Sequence, residues 1–196
     1  MLIFAQIIIE MNKQNTSTII LAIILILAAA ISRVVMYPNN FSPIIGMAIF
    51  SGAVIKDRRL AFVLPIVSMF LSDVMFEVFN IAPGFWGWGQ LVGYSILALI
   101  TIIAFNLKKI NVINVIGYSI LSSVIFFLLS NLSFFILDNP IYHTYTSDAN
   151  GFMQCFIQAL PFFRTSLVAD LVYSGGLFGA YYLVSNYVIK KQQVAA

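Results

Sequence analysis

The sequence predicts an all-α integral membrane protein, built as a bundle of six transmembrane helices. Of its 196 residues, 61% are hydrophobic and 9% are charged, which is about a third of the charged fraction of a soluble domain. The mean hydropathy is +0.99. Most of the basic residues stand at the ends of apolar stretches, where a membrane protein meets water. These flanking cations are Lys13, Lys56, Arg58, Arg59, Lys108, Lys109, Lys190 and Lys191.

The first two predicted spans are separated by a short turn. The first covers about residues 18–36 and ends at a turn rich in Pro and Asn that includes Asn40. The second covers about 42–55, opens with a Ser42-Pro43 start signal, and is only about 20 Å long against a hydrocarbon core of about 30 Å. It is either a crossing in a thinned region of the bundle or a re-entrant half-helix.

The third and fourth predicted spans cover about residues 60–79 and 90–107. Pro65 lies inside the third span and is expected to kink it rather than end it. The connection between these spans holds both tryptophans, Trp86 and Trp88, among glycines and prolines. Tryptophan in such a setting is typical of the membrane–water interface.

The remaining residues predict two further spans. The fifth covers about 112–137. The stretch from 151 to 189 is too long for one crossing, and Pro161 divides it, so we expect an interfacial helix at about 151–160 and a sixth span at about 162–188. Residues 1–196 form a single transmembrane domain in this interpretation, without a separate soluble domain.

The flanking cations predict the orientation. With six crossings, all of them fall on one side of the membrane and the opposite connections carry none. Basic residues favour the cytoplasmic side. We therefore expect both termini to be cytoplasmic, and we count the short second segment as a crossing because the asymmetry would otherwise be lost.

Composition argues against several classes of function. The net charge of +3 is explained by the flanking cations, so no nucleic-acid partner is predicted. A lone Cys155 and a lone His143 match no metal-binding spacing, and no phosphate-binding loop is present. We expect no metal and no cofactor, and any ATP has to be used by partner proteins.

A second set of charged residues lies inside the apolar stretches, where an unpaired charge is costly. Counting at about 1.5 Å per residue from the predicted outer ends places Asp73, Asn131 and Asp170 in one layer. Arg33, Glu77 and Arg164 are shallower, and Asp73 and Glu77 share a helix face because they are four positions apart. The inner halves of the spans carry essentially no polar groups.

These positions predict an outward-facing polar pocket. Helix N-termini are expected at Ser42-Pro43 and near Pro161, where free N–H groups can hold an anion or a carbonyl. The alternative is that Arg33 or Arg164 pairs with Asp73 or Asp170 and only fastens helices together. The candidate substrate-binding residues are Arg33, Asn40, Asp73, Glu77, Asn131, Arg164 and Asp170, with Trp86, Trp88, Tyr142 and Tyr145 as a lid.

Several segments carry a family resemblance. They are RVVMYPNNF at 33–41, LSD at 71–73, SN at 130–131, GFMQCFIQALPFF at 151–163 and ADL at 169–171. Together they resemble a family of small bacterial membrane proteins of unknown function. The architecture is more distantly similar to the S components of energy-coupling-factor vitamin transporters. That resemblance implies a bacterial inner-membrane protein with a vitamin-like ligand, a transmembrane coupling protein and ATPase subunits as partners.

The resulting hypothesis is a non-enzymatic, S-component-like protein that captures a small solute from the outer side for uptake. Two alternatives stay open. One is an intramembrane enzyme that uses Asp73 and Glu77, although the polar path stops partway through the membrane. The other is a structural membrane subunit whose buried charges only hold the bundle together.

Overall fold

The computed structural model describes residues 16–35, 40–85 and 87–186, and within them the chain is all-helical, as predicted. The six main helices follow the chain in order. They are α1 (Thr16–Val35), α2 (Ile44–Val54), α3 (Arg58–Val78), α4 (Trp88–Ala104), α5 (Val112–Ser133) and α6 (Ala149–Val184). The first five lie within a few residues of the predicted segments, and α3 continues through Pro65.

Polar side chains mark where three of these helices begin. Asp57 accepts hydrogen bonds from the backbone N–H groups of Arg59 and Leu60 at the start of α3. Asn111 caps α5 and Asp148 caps α6 in the same way. Each cap satisfies N–H groups that have no partner within the helix.

The short helix α2 is the centre of the bundle. It has 11 residues, or about 16 Å of length, and all of them except Ile44 and Ala53 are buried. It contacts each of the other five main helices. Its sequence is apolar on every side, as expected of a helix enclosed by protein.

Close packing around α2 requires a small residue. A Cβ added to Gly52 would lie 2.6 Å from the carbonyl oxygen of Thr101 and 2.8 Å from the Cβ of Ala104, both on α4. Glycine therefore lets the two helix backbones approach. This contact holds the C-terminal half of α2 against α4.

The predicted break at Pro161 is wrong. Residues 149–184 form one continuous helix of 36 residues, so there is no separate interfacial helix at 151–160 and no helix N-terminus near Pro161. Proline has a φ angle that suits a helix and removes only one hydrogen bond, a loss that membrane helices tolerate. At about 54 Å, α6 is longer than the hydrocarbon core.

Helix α5 is also longer than predicted. A π-helical turn at Phe134–Asp138 and a final turn at Asn139–Tyr142 extend it. It runs antiparallel to α6, since Phe135 packs on Phe152 while Phe127 packs on Phe163. The two helices thus continue side by side toward the connection at 143–148.

The basic residues of the described chain lie mainly at one end of the bundle. Helix α2 ends at the 55–57 turn, and the guanidinium of Arg58 lies 5.5 Å from the ring centroid of Phe105, so the turns after α2 and α4 are neighbours. The cations at this end are Lys56, Arg58, Arg59, Lys108 and Lys109. The N-terminus of α2 points to the opposite end. The flanking residues Lys13, Lys190 and Lys191 lie outside the described residues.

Within the described residues, four helical segments are long and apolar enough to cross a membrane. These segments are Thr16–Val35, Arg58–Val78, Val112–Tyr142 and Ala149–Val184. The apolar helices α2 and α4 are shorter. The fold is therefore compatible with a multi-pass membrane protein.

Candidate functional site

An ion pair joins α1 to α3 at the N-terminal end of α2. Arg33 Nη1 lies 2.5 Å from Asp73 Oδ1, and the Arg33 side chain is 14% exposed whereas that of Asp73 is completely buried. Nη1 also donates to Ser72 Oγ. The guanidinium carbon lies 4.7 Å from the ring centroid of Phe76. Nη1 makes both bonds, and Nη2 and Nε have no acceptor among the described residues, so they can donate to another acceptor.

The second oxygen of Asp73 is held by α4. Tyr94 Oη donates to Asp73 Oδ2 at 2.6 Å, and Gln90 Nε2 lies 2.9 Å from the same oxygen. A buried carboxylate needs such donors as well as a cation. Asp73 thus fastens α1, α3 and α4 together. Helix fastening was the predicted alternative to ligand binding for this residue.

The connection between α3 and α4 folds back onto this cluster. Gln90 Nε2 also donates to the carbonyl oxygen of Gly84, and the Gly84 N–H donates to Glu77 Oε2 at 3.0 Å. A Cβ on Gly84 would lie 2.0 Å from the carbonyl oxygen of Asp73. Glu77 therefore positions a loop from an exposed site on α3 rather than lining the interior.

A cavity of about 460 Å³ opens beside the ion pair, at the N-terminus of α2. Arg33 from α1 and Asp170 from α6 both contribute to its wall, and three phenylalanine rings also line it. The lining residues are Arg33, Asn40, Phe41, Ser42, Ile44, Ile45, Met69, Phe76, Pro83, Gly93, Phe126, Ser166 and Asp170. The predicted cap at Ser42 does not form, and its buried Oγ has no hydrogen-bond partner within the described chain.

A second cavity, of about 330 Å³, adjoins the first. The two share Asn40, Ile45, Phe126, Ser166 and Asp170 as lining residues. Asn40 adopts a left-handed conformation with φ 60°, and its carbonyl oxygen accepts a hydrogen bond from Ser166 Oγ at 3.2 Å. The shared wall is thus a contact between α6 and the connection that precedes α2.

Asp170 is a buried carboxylate without an ion-pair partner among the described residues. It is 2% exposed, and Ser123 Oγ donates to its Oδ2 at 2.6 Å. The alternative pairing with Arg164 does not occur, because Arg164 is exposed on another face of α6. Arg164 lines a separate groove of about 760 Å³ with Phe41 and Pro161.

The expectation that Asn131 shares one layer with Asp73 and Asp170 is wrong. Asp170 lies opposite Ser123, and Asn131 is about 12 Å further along α5. The predicted depth of Asp170 assumed that the span begins at Pro161, whereas α6 begins at Ala149 and Pro161 lies well inside the helix. Asn131 lines only the second cavity, and its Nδ2 donates to the carbonyl oxygen of Phe127 at 2.7 Å.

The proposed lid residues lie away from both cavities where they are described. Trp88 is 69% exposed and Tyr142 is 70% exposed. Tyr145 donates to Gln158 Oε1 at 3.2 Å. Gln158 lies about 12 Å along α6 from Ser166, which lines both cavities. The length of the α5–α6 hairpin carries Tyr142 and Tyr145 past the cavity. Trp86 lies outside the described residues.

Three residues that matter here were not singled out from the sequence. Gln90 and Tyr94 hold Asp73, and Ser123 holds Asp170. Gln90 and Tyr94 are four positions apart on an apolar helix, and so are Ser119 and Ser123. This spacing of polar groups on one helix face was a usable signal.

The first cavity can recognise a ligand by hydrogen bonds and by charge. It offers guanidinium N–H donors, two serine hydroxyls and a carboxylate, together with three phenylalanine rings. No group of three or more His, Cys, Asp or Glu residues able to hold a metal occurs among the residues that the structure describes. The arrangement therefore suits a small polar molecule.

Comparison with known proteins identifies the family. The chain belongs to a family of unknown function (DUF6580), whose model matches residues 12–193. The predicted membership in a family of unknown function is thereby confirmed, and the match gives no link to S components. No curated protein matches the chain. No solved structure matches it either.

Proposed function

We propose that this protein captures a small solute from the outer side of a bacterial cytoplasmic membrane and takes part in its uptake, in the manner of an S component. One observation carries the proposal, namely the cavity of about 460 Å³ with Arg33 and Asp170 in its wall. Ligand pockets of small molecules fall in the range of about 300–1,000 Å³. An ionisable residue within a membrane bundle is by default a candidate for a functional site.

The lining indicates the chemistry of the solute. The unused donors of Arg33 suit a carboxylate or carbonyl group, and Asp170 suits an amine, an amide N–H or a hydroxyl. Phe41, Phe76 and Phe126 supply apolar surface for a ring. A small heterocycle with both donors and acceptors, such as a vitamin, fits these requirements best.

The distribution of charge supports the proposed orientation. The described flanking cations lie at the end of the bundle opposite the N-terminus of α2, beside which the cavity opens. Under the positive-inside rule that end faces the cytoplasm. Helix α2 can count as a crossing despite its length, because its neighbours enclose it and lipid does not need to match it.

The contacts favour capture over the two alternatives. Asp73 is ion-paired and Glu77 accepts from a loop N–H, which leaves neither carboxylate free beside the cavity for acid–base chemistry. The Arg33–Asp73 pair supports a structural role for those two residues. Asp170 has no such partner cation among the described residues, so an interhelical ion pair does not explain its carboxylate.

Native mass spectrometry of the protein purified in mild detergent tests the proposal. We expect a co-purified small molecule, lost in Asp170→Asn and retained in Asp148→Asn, whose carboxylate is exposed outside both cavities. A panel of vitamins should include at least one that raises the thermal midpoint of the wild type. No bound mass and no shift across the panel would refute capture.

The partners of an S-component-like protein are a transmembrane coupling protein and ATPases, and they belong to the same proposal. Crosslinking in native membranes followed by mass spectrometry should recover such subunits. Uptake of the identified solute that persists in cells without any energising module would contradict this part.

A further inference from the structure

A column of serine side chains lies between α5 and α6, next to Asp170. Ser123 Oγ is 2.6 Å from Asp170 Oδ2 and 2.8 Å from the carbonyl oxygen of Ser119. It has one proton and can serve only one of these acceptors at a time. In its ionised form, Asp170 would therefore have one shared hydrogen bond and no counter-charge among the described residues, although it is 2% exposed.

Two further hydroxyls belong to the next turn of the same interface. The helices run antiparallel, and the Ser123–Asp170 contact sets their register. One turn deeper, α5 presents Ser119 and α6 presents Ser174, each four positions from the contact. Ser119 is 0% exposed and Ser174 is 1% exposed, and neither Oγ has a hydrogen-bond partner among the described residues.

Burying these hydroxyls and this carboxylate without partners costs free energy of folding. Buried hydroxyls are normally hydrogen-bonded, and a buried carboxylate normally has a counter-charge. Here both needs arise within one or two helical turns. A cation bound between the carboxylate and the hydroxyl oxygens meets both at once, because every one of these groups can supply an oxygen lone pair.

The ligand set indicates which kind of cation. It consists of oxygen atoms only, which hard cations prefer, and it carries a single negative charge. A divalent ion is usually held by more carboxylates, and the described chain has no cluster of three acidic, His or Cys residues. One monovalent ion would leave the site neutral within an apolar bundle.

We propose that a monovalent alkali cation, with Na⁺ as the probe, binds between α5 and α6 at Asp170, Ser119 and Ser174. Asp170 also lines both cavities, so the ion can enter from the same side as the solute. This inference goes beyond solute capture and does not depend on it. The site would couple the α5–α6 contact to the sodium concentration.

Thermal unfolding of the full chain in detergent tests the proposal, with NaCl compared with choline chloride at equal ionic strength. We expect Na⁺ to raise the midpoint of the wild type in a saturable way. Ser119→Ala and Ser174→Ala should weaken the apparent Na⁺ affinity at least about tenfold. In choline the same variants should melt at the wild-type temperature or above, because each loses an unpartnered hydroxyl.

A matched control and a direct measurement complete the test. Ser95→Ala removes an exposed hydroxyl of α4 that bonds its own helix, and it should keep the full Na⁺ shift. Binding of radioactive ²²Na⁺ should show one ion per chain in the wild type. Equal midpoints in Na⁺ and choline, or a full shift in both serine variants, would overturn the proposal even if Asp170→Asn does not fold.

Discussion

Arg33 Nη1 and Asp73 Oδ1 lie 2.5 Å apart and join the last turn of α1 to the C-terminal third of α3. Tyr94 and Gln90 of α4 donate to the other oxygen of the same carboxylate. One buried residue thereby connects three helices beside the cavity. This pair shapes the wall of the proposed site, while the unused donors of Arg33 remain available to a ligand.

Removal of this carboxylate is predicted to destabilise the bundle strongly. Asp73→Ala leaves the Arg33 guanidinium without its counter-charge and deprives Gln90 and Tyr94 of an acceptor. We expect a loss of about 3–5 kcal/mol, seen as a lower thermal midpoint and early aggregation in fluorescence-detected gel filtration. Glu77→Ala, which removes one hydrogen bond at an exposed position, should cost about 1 kcal/mol. Equal losses of stability in Asp73→Ala and Glu77→Ala would contradict the role of Asp73 in joining three helices.

Gly84 is predicted to be intolerant of a side chain. An added Cβ would lie 2.0 Å from the Asp73 carbonyl oxygen and 3.1 Å from the Glu77 Cβ, so Gly84→Ala has to push the connection away from α3. We expect a loss of about 2 kcal/mol or more. Gly117→Ala is the control, since nothing lies within 4 Å of its Cβ and alanine favours a helix by about 1 kcal/mol. Destabilisation of similar size in both would count against the close approach.

The proposed orientation predicts which loops react with an impermeant maleimide. The single cysteine, Cys155, is 2% exposed, so Cys155→Ser provides a background without a thiol. In it, Thr144→Cys should react in intact cells, because its connection lies at the proposed outer end. Lys109→Cys, exposed at the basic end, should react only after permeabilisation. The reverse pattern would show that the cavity faces the cytoplasm.

The cap of α6 predicts a dependence of stability on pH. Hydrogen bonds from the Thr146 hydroxyl and the Gly151 N–H hold the pKa of Asp148 below its ordinary value of 3.8. Because the folded pKa lies below the unfolded one, this contribution is complete above about pH 5 and is lost as the pH falls through the folded pKa. The midpoint difference between wild type and Asp148→Ala should therefore shrink on acidification.

Asp148→Asn separates the cap from its charge. Asparagine also caps a helix but does not titrate, so its midpoint difference from Asp148→Ala should stay constant over the same pH range. A difference between wild type and Asp148→Ala that does not change down to pH 3 would show that the ionised carboxylate is not what stabilises the start of α6.

The sequence by itself determined the helices, their approximate bounds and the separation of the cations from the interior charges. Lipid offers no partner to a backbone N–H or C=O, so a long apolar stretch has to be helical. Arg33 and Asp170 could also be predicted as candidates, because a charged residue inside an apolar stretch needs a reason.

Only the tertiary structure decided which of these residues meet. Periodicity assigns a residue to a helix face, but it does not give the axial register between two helices. For this reason the sequence did not show that Asn131 lies about 12 Å from the level of Asp170 or that Arg164 lines another groove. Nor did it show that Gln90 and Tyr94 bind Asp73, or that Ser123 binds Asp170. Pro161 shows the same limit within one helix. Its local chemistry predicted a break, whereas α6 continues through it and packs along α5.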